Sequence, residues 1–416
     1  MTNIRAAIAI TVIVLSFVTH ADKASFVISN VQIFDGETMH SIPTDVIVRH
    51  GVVTGIGKTA NTEGLTQVDG AGATLLPGFI DAHAHTEDVA QLKEALRFGI
   101  TTVLDMGTFP PHEAALRYAA AKDLSVADFR SAGIWATAPG GHGTEYGFEI
   151  PTVTDPKRAW EFVNARVKEG IDFLKIVING VRHANSGTPT LDAATVKALV
   201  EAAHTHGLLV VAHVESDADV RVAVGAEVDG LVHHWRDGGA RVDLAHLLAS
   251  EEVFVMPTLT APDGLIGVGP RMLLNDPLIT PYLSPLARYQ LGKKVTTPPG
   301  LTMVDPKAGM RSLVEANVLL LAGSDAFTEN PRIVHGASLH RLLTLFTEAG
   351  LTPIEALRSA TANVADAFGL DDRGRISLGL RADLLLVRGD PSIDIRATRH
   401  IIGVWRGGIA VFRARE

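Results

Sequence analysis

Strand-like and helix-like segments alternate through the middle of the chain, from residue 78 to residue 368. This alternation predicts parallel βα units, because parallel neighbours need a crossover that a helix usually supplies. Segments of helical period, such as residues 191–205, separate the strand candidates. Eight strand candidates favour a closed (β/α)8 barrel, the TIM type of α/β fold, over an open sheet. They begin at residues 78, 100, 131, 172, 208, 230, 253 and 318.

The two ends of the chain have a different pattern, with short strands and tight turns. Residues 26–34 and 45–57 have it near the start, and residues 382–387 and 401–412 near the end. Neither end alone supplies enough strands with a covered face for an independently stable sheet. We therefore expect one small β-sandwich domain built from residues 22–77 and 369–416, with the barrel at residues 78–368.

The first 21 residues resemble a secretory signal. Arg5 precedes an apolar run from Ala6 to Val18, and small residues follow at Thr19 and Ala21. The run is shorter than the roughly 20 apolar residues of a membrane span. We therefore predict a signal peptide at residues 1–21, no stable membrane span in the mature protein, and a periplasmic or secreted location. A buried N-terminal helix or strand is the alternative.

Charge and cysteine content narrow the possible partners and chemistry. The formal net charge is −9 and no Lys/Arg-rich run occurs, so nucleic acid is not an expected partner. The chain has no cysteine, which excludes disulfides, thiolate zinc sites and a cysteine nucleophile. Metal ligands would have to be His, Asp, Glu or Lys side chains. We expect a small-molecule substrate, and a homo-oligomer is left open.

Two histidines follow the first barrel strand, in Asp81-Ala82-His83-Ala84-His85. Residues two apart on a strand face the same side, so both imidazoles would point towards the barrel axis. The active sites of such barrels lie at the C-terminal ends of the strands, where these residues fall. Ordinary core or surface histidines are the alternative, because a lone His-x-His pair is a weak signal.

Lys175 occupies an unusual place for a lysine, within an apolar strand. It shares one strand face with Phe173 and Val177, and both faces of a barrel strand are buried. Burial lowers the pKa of an amine and favours its neutral form. A neutral lysine can capture CO2 and become a carbamate whose two oxygens bridge two cations. A solvated lysine, or one paired with a buried acid, is the alternative.

Three more polar residues end later strands: His213, His233 and Asp325. Each alone is compatible with a satisfied buried polar residue. Their occurrence in order at successive strand ends, together with the His-x-His pair and Lys175, indicates a metal site. His234 follows His233 directly, and neighbours on a strand point to opposite sides, so only one of the two can reach the metals.

This set of residues resembles the amidohydrolase superfamily in its binuclear form with a carbamylated lysine. The segments 76–81, 349–357 and 379–384 agree with the same resemblance. Within the superfamily, the chain is most similar to the branch of Xaa-Pro and Xaa-Arg/Lys dipeptidases and mycotoxin amidases. One departure is Leu231-Val232-His233, where relatives commonly have Ile-Glu-His; aligning Asp229-Gly230 favours His233 over His234.

The resemblance implies a metal centre and a mechanism. One divalent ion would be held by His83, His85 and Asp325, a second by His213 and His233, and carbamylated Lys175 would bridge them. Zinc suits these ligands, with manganese or cobalt as alternatives. A metal-bridging hydroxide would attack the substrate carbonyl. Asp325 would take its proton and pass it to the leaving amine.

Substrate contacts are expected from two segments at the barrel mouth. In the loop 140–146, His142 would polarise the carbonyl and Tyr146 would hold a carboxylate, with ordinary loop packing as the alternative. Arg182, just beyond the fourth strand, can pair bidentately with a carboxylate, although a surface arginine is the more common case.

The expected function is therefore hydrolysis of an amide bond, in a dipeptide or an N-acyl amino acid. A lactonase or carboxylesterase using the same metals is the enzymatic alternative. Deamination is less expected, since the deaminases of the superfamily usually keep one metal and lack the bridging lysine. A non-enzymatic scaffold is disfavoured, because such relatives typically lose metal ligands and this chain has all six.

Overall fold

The computed structural model describes residues 25–58, 61–147, 149–179, 189–236, 238–328 and 332–413. The expected secretory signal (1–21) and Arg182 lie outside these residues, and both stay predictions. Within the described ranges, no helix is both long and apolar enough to cross a bilayer.

The described residues form β-strands and α-helices, numbered in chain order. The strands are β1 (Phe26–Phe34), β2 (Met39–Arg49), β3 (Val52–Ile56), β4 (Thr66–Asp69), β5 (Thr74–Pro77), β6 (Phe79–Ala84), β7 (Ile100–Asp105), β8 (Asp128–Ser131), β9 (Leu174–Val177), β10 (Val210–His213), β11 (Gly230–Val232), β12 (Phe254–Met256), β13 (Leu384–Val387), β14 (Ile401–Arg406) and β15 (Ile409–Arg413). The helices are α1 (Val89–Arg97), α2 (Pro110–Lys122), α3 (Ala159–Glu169), α4 (Ala193–Thr205), α5 (Asp217–Gly225), α6 (Val242–Ser250), α7 (Thr260–Ile266), α8 (Val268–Asn275), α9 (Pro285–Gly292), α10 (Val304–Glu315), α11 (Ala337–Glu348), α12 (Pro353–Ser359) and α13 (Ala362–Ala367).

Both ends of the chain contribute to one mixed sheet. Its strand order is β15-β14-β13-β5-β1-β2-β3, and β4 pairs with β1. The two ends meet where β13 runs antiparallel to β5, with Leu384 opposite Pro77 and Val387 opposite Thr74. The sheet thus joins the N-terminal and C-terminal strands that the sequence indicated. The second layer of the expected sandwich and the domain boundaries stay predictions.

The middle of the chain forms an α/β fold with parallel strands. One sheet has the order β6-β7-β8 and another has the order β12-β11-β10-β9. Isolated parallel bridges link segments of these two sheets and the stretch after α10: Ala84 with Ala326, Ala136 with Ile176, and Val255 with Leu320. Strands β6, β7, β9 and β10 are buried along their whole lengths, as parallel strands covered on both faces are. Full closure into the (β/α)8 barrel stays a prediction.

Two of the expected strands are shorter or less regular than their apolar character indicated. The third strand, β8, ends at Ser131, where the sequence placed its beginning. Gly133 interrupts the extended backbone there with a φ of +59°. In the eighth candidate only Leu320 forms a bridge, because neighbouring backbone groups bond to different segments; Ala322 N–H donates to Ser359 O, for example.

A buried ionic cluster joins the terminal sheet to the start of β8. Asp128 lies 2.5 Å from Arg373, 3.0 Å from Arg381 and 3.2 Å from Arg406. Burial opposes ionisation of this carboxyl, yet the three guanidinium charges hold the pKa of Asp128 below its usual range. Arg406 also donates to the carbonyls that follow α2. Asp372 and Asp383 also belong to the cluster, at 2.7 Å from Arg373 and 2.8 Å from Arg381. Asp128 is the carboxylate that all three arginines share.

Replacing Asp128 by Asn is expected to destabilise the protein by about 3–5 kcal/mol, because the buried Arg406 then loses its carboxylate partner. Urea unfolding followed by circular dichroism measures the change. The matched control is Glu161→Gln, which removes an exposed partner of Arg158 and is expected to cost about 1 kcal/mol or less. Equal effects of the two substitutions would contradict this role for the cluster.

Candidate metal centre

The end of β6 and the segment around residue 325 bring three metal-competent side chains together. His83 Nε2 lies 3.2 Å from His85 Nε2 and 3.2 Å from Asp325 Oδ1. His85 Nε2 lies 3.8 Å from the same carboxylate oxygen. The two histidines face the same side because they are two residues apart in extended backbone. These three residues form a group with the donor atoms and spacing of a metal site.

Hydrogen bonds between their segments hold His83 and Asp325 close together. The Asp325 N–H donates to the His83 carbonyl at 2.7 Å. Asp81 accepts from both the backbone N–H and the hydroxyl of Ser324, at 2.8 Å and 2.6 Å. A Cβ at Gly323 would lie 2.5 Å from the Cβ of His83, so no larger residue fits between the two segments. The Leu-Ala-Gly-Ser-Asp sequence therefore has a glycine where its backbone touches the segment of His83.

The imidazole rings are oriented by hydrogen bonds on their Nδ1 atoms. His85 Nδ1 lies 3.3 Å from the Gly107 carbonyl, and His233 Nδ1 lies 2.5 Å from the Thr258 hydroxyl. A bond of this kind on one ring nitrogen directs the other towards a metal. Burial lowers the pKa of His83 and His233 well below the usual value and that of His85 to about 3. The rings are therefore neutral, as metal ligation requires.

Lys175 lies among these ligands, in the middle of β9. Its side chain is only 3 % exposed and lines the same cavity as His85, His213, His233 and Asp325. Burial lowers the pKa of the Lys175 amine, and the charges of Asp325 and Asp105 counteract this only in part. The buried environment favours the neutral amine that carbamate formation needs.

His213 and His233 end adjacent strands and lie side by side. Their ring centroids are 4.6 Å apart, and His233 is 5.2 Å from His83. His234 points elsewhere: its Nε2 lies 3.1 Å from the Pro306 carbonyl, behind the site. The structure thus brings His233 rather than His234 to the other expected ligands, as the alternation of a strand dictates.

Two of the expected ligands have strained backbone. His233 has a φ of +66° and Asp325 a φ of +58°, in the left-handed region that residues with a Cβ seldom adopt. Such strain costs of order 1–3 kcal/mol and persists where surrounding structure enforces it, often at functional sites. His233 directly follows β11, and Asp325 lies at the backbone contact with His83.

The donor set fits a divalent ion. Zinc bonds of about 2.0–2.1 Å in tetrahedral geometry separate two ligand atoms by about 3.3 Å. The separations among His83, His85 and Asp325 are 3.2, 3.2 and 3.8 Å, close to that spacing. All three side chains offer nitrogen or oxygen atoms and none offers a thiolate, a donor set that suits zinc or a similar ion. The ion's identity and the lysine modification stay predictions.

A cavity of about 390 Å³ opens above this group. His142 and Tyr146, expected to contact substrate, both line it. The His142 ring lies 5.0 Å from that of His213, and its Nδ1 donates to Glu145 Oε1 at 2.6 Å. The cavity has the size of a small-molecule site, and the 140–146 loop forms part of its wall.

Aromatic rings form another part of the wall, and of these only Tyr146 was expected from the sequence. Phe109 packs against Trp135 at 6.0 Å, Trp135 against Tyr146 at 6.4 Å, and Tyr146 against Phe327 at 5.8 Å. These residues come from separate loops, so no local spacing reveals them. Glu215 and Arg236 also line the cavity. They follow His213 by two residues and His233 by three, and this closeness to expected ligands could have identified them as cavity residues.

Arg182, the third expected substrate contact, lies outside the described residues. His335 precedes α11 and its Nε2 lies 3.5 Å from the Thr86 hydroxyl, one residue from His85. His340 is a packing residue, with its ring nitrogens bonded to Thr398 and to the Phe98 carbonyl.

Asp105, at the end of β7, supports the backbone around His85. Its carboxylate accepts from Thr86 N–H at 2.7 Å, Gly107 N–H at 3.2 Å and the Ser131 hydroxyl at 2.8 Å. Thr86 follows His85, and Gly107 supplies the carbonyl that orients its ring. Burial raises the pKa of this carboxyl to about 7. Sequence reasoning overlooked Asp105, because its partners are distant in the chain.

The sequence model of the Amidohydrolase family matches residues 74–411 of this chain. The chain belongs to the amidohydrolase family. The matched range covers the parallel strands, the metal-competent residues and most of the C-terminal strands. The resemblance stated from the sequence is thereby confirmed.

Similar proteins differ in their named activities. The adenine deaminase of Bacillus licheniformis is 25 % identical over 403 residues, which are 94 % of this chain and 60 % of that protein. This chain thus spans about 60 % of the length of that curated relative. A Xaa-Pro dipeptidase crystallised with bound methionine has a TM-score of 0.75 and 21 % identity, with 94 % of this chain and 100 % of the other covered. The A. niger ochratoxinase has a TM-score of 0.71 and 17 % identity, with coverages of 93 % and 95 %. Both structures show a similar fold.

In this amidohydrolase, Asp105→Asn is expected to weaken metal binding by about 10- to 100-fold, the range typical for residues that orient ligands. The substitution puts an NH2 group against N–H and O–H donors, which loosens the backbone around His85. Competition of the metal-free protein with a zinc indicator measures the affinity. Asp69→Asn, on the exposed strand β4, is the control. Unchanged zinc affinity, with lower thermal stability alone, would restrict Asp105 to a structural role.

Proposed function

We propose that this amidohydrolase is a metal-dependent hydrolase that cleaves an amide C–N bond, in a dipeptide or an N-acyl amino acid. The observation that carries the proposal is the burial of Lys175 between two sets of metal-competent residues. An isolated buried ammonium is costly, whereas a carbamate shared by two cations is compensated. Full closure of the (β/α)8 barrel around this centre is part of the same proposal.

The residues divide into three roles at the proposed centre. His83, His85 and Asp325 would hold one ion, His213 and His233 would hold the other, and Lys175, as a carbamate, would contact both. Zinc is the first candidate, given imidazole and carboxylate donors without thiolates. When bound, the two ions generate a nucleophile from water at neutral pH and polarise the scissile carbonyl.

Asp325 has the position required for proton transfer. Its carboxylate lies beside His83 and also lines the cavity, so it can reach both the ligand group and a bound substrate. Water adds its oxygen to the carbonyl carbon, and Asp325 accepts the proton that is released. The C–N bond then breaks, and Asp325 returns that proton to the leaving nitrogen. The products are a carboxylic acid and a free amine.

The cavity wall supplies positioning. His142 would polarise the carbonyl oxygen, and the Glu145 carboxylate fixes its ring through Nδ1. Tyr146 would contact a polar end of the substrate, while Phe109 and Trp135 exclude water from the reacting bond. Residues held in this way on a cavity wall raise the rate by limiting substrate motion.

Two alternatives use the same site. Esters and lactones present the same carbonyl to the nucleophile and differ only in the leaving oxygen. Adenine deamination, named for the curated relatives, also breaks a C–N bond with water. The similarity of fold to a Xaa-Pro dipeptidase supports the amide substrate. Export to the periplasm or the medium stays a prediction based on residues 1–21.

Turnover is expected to depend on bound metal and on Asp325. The protein from Asp22 onward, reconstituted with zinc and bicarbonate, is assayed for amine release from dipeptides and N-acyl amino acids. Chelation should abolish turnover and zinc should restore it. Asp325→Asn should lower kcat by at least about 100-fold, because it removes the proton carrier.

Esters, lactones and adenine belong in the same assay. Hydrolysis of esters or lactones alone would replace the amide proposal, and ammonia release from adenine alone would identify a deaminase. Absence of both bound metal and turnover would refute the metal-dependent reaction itself.

Carbamylation of Lys175 is expected to be visible directly. Incubation of the metal-loaded protein with ¹³C-labelled bicarbonate should give a carbamate resonance in the ¹³C NMR spectrum. The resonance should be missing in Lys175→Arg, since a guanidinium keeps its charge and does not capture CO2. A wild-type spectrum without a carbamate signal, at full metal occupancy, would contradict the bridging role.

A further inference from the structure

An ion pair on the cavity wall has no part in the mechanism described above. Arg236 and Glu215 both line the cavity, after β11 and β10 respectively. The Arg236 backbone N–H donates to the Glu215 carbonyl at 2.8 Å. The Arg236 NH1 atom lies 3.4 Å from Glu215 Oε1. Backbone and side-chain contacts together fix this arginine at the wall.

The two partners differ in exposure. The Glu215 side chain is 5 % exposed, whereas that of Arg236 is 33 % exposed. A guanidinium has five N–H donors in a rigid fork, more than one carboxylate oxygen at 3.4 Å can use. Glu215 therefore acts as a buried support, and the remaining donors of Arg236 are accessible from the cavity.

Arg236 lies close to the proposed metal centre. Glu215 Oε1 is 3.8 Å from His213 Nε2. The positive charge of Arg236 is also one of the influences that lower the pKa of His233. Among the described residues that line the cavity, Arg236 and Lys175 are the Lys or Arg side chains, and Lys175 is buried at the base. Arg236 is therefore the cation presented to a ligand in the open part of the cavity.

We propose that Arg236, supported by Glu215, is the specificity residue that binds a free carboxylate of the substrate near the scissile bond. This inference rests on the proposed amide hydrolysis and names the residue that would recognise the carboxylate shared by dipeptides and N-acyl amino acids. A guanidinium fork matches a carboxylate bidentately. Because Glu215 already holds the side chain, little rotamer freedom is lost when the substrate binds.

The test compares two substrates that differ only in charge: an N-acyl amino acid and its carboxamide. For each, kcat/KM is measured with wild-type protein, Arg236→Met and Arg236→Lys, all loaded with zinc. Wild-type protein should prefer the acid. Arg236→Met should lower kcat/KM for the acid by about 10- to 100-fold, the equivalent of one charged hydrogen-bond pair. Its effect on the carboxamide should be within about threefold, and Arg236→Lys should lie in between.

The matched control is Arg158→Met, which removes an arginine that is 61 % exposed at the start of α3. It should change neither substrate. An arginine that only stabilises the loop would affect the acid and the carboxamide equally. Equal losses, or a wild-type enzyme without preference for the acid, would therefore overturn the proposal.

Calorimetry separates this inference from the proposed function. If the zinc-loaded protein hydrolyses none of the dipeptides and N-acyl amino acids, the proposed amide hydrolysis is refuted, but binding of the acid and the carboxamide is still measurable. Tighter binding of the acid that is lost in Arg236→Met supports a carboxylate subsite. Equal binding of both, or equal binding by both proteins, overturns it.

Discussion

The contact between the end of β6 and residues 322–326 is the constraint on which the rest of the site depends. A main-chain hydrogen bond of 2.7 Å joins Asp325 to His83, and Asp81 accepts two more from Ser324. These bonds place the first and last of the expected metal ligands in contact, although more than 240 positions separate them. Asp81 is itself buried, and burial raises the pKa of its carboxyl to about 6. A polar group this deep persists because its acceptors are satisfied.

Several other hydrogen bonds also hold the expected ligands in position. Thr258 fixes His233, Gly107 fixes His85, and Asp105 holds the backbone of Thr86 and of Gly107. Each bond restricts the orientation of a ring whose other nitrogen faces the site. The left-handed backbone of His233 and Asp325 is part of the same arrangement. Contacts within the protein thus fix the geometry of the expected ligands.

Much of this arrangement was predictable, for local reasons. Period-two alternation identified the faces of His83, His85 and Lys175, and strand ends identified His213, His233 and Asp325. The segments the sequence could not assign depend on distant partners. Asp105 gains its role only through Thr86 and Ser131, and the aromatic wall comes from three separate loops. The irregular backbone at Gly133 and after Leu320 likewise reflects hydrogen bonds to other strands, which an apolar run does not reveal.

The arginine cluster surrounds Asp128, the first residue of β8. The expected metal ligands, in contrast, lie within a strand or at its C-terminal end. The ionic cluster and the proposed chemistry therefore lie at opposite ends of the parallel strands. This separation has a practical meaning for anyone who wishes to redesign the protein. We expect exchanges of the loops around the cavity to leave the ionic cluster intact, and changes in the cluster to leave the expected metal ligands in place.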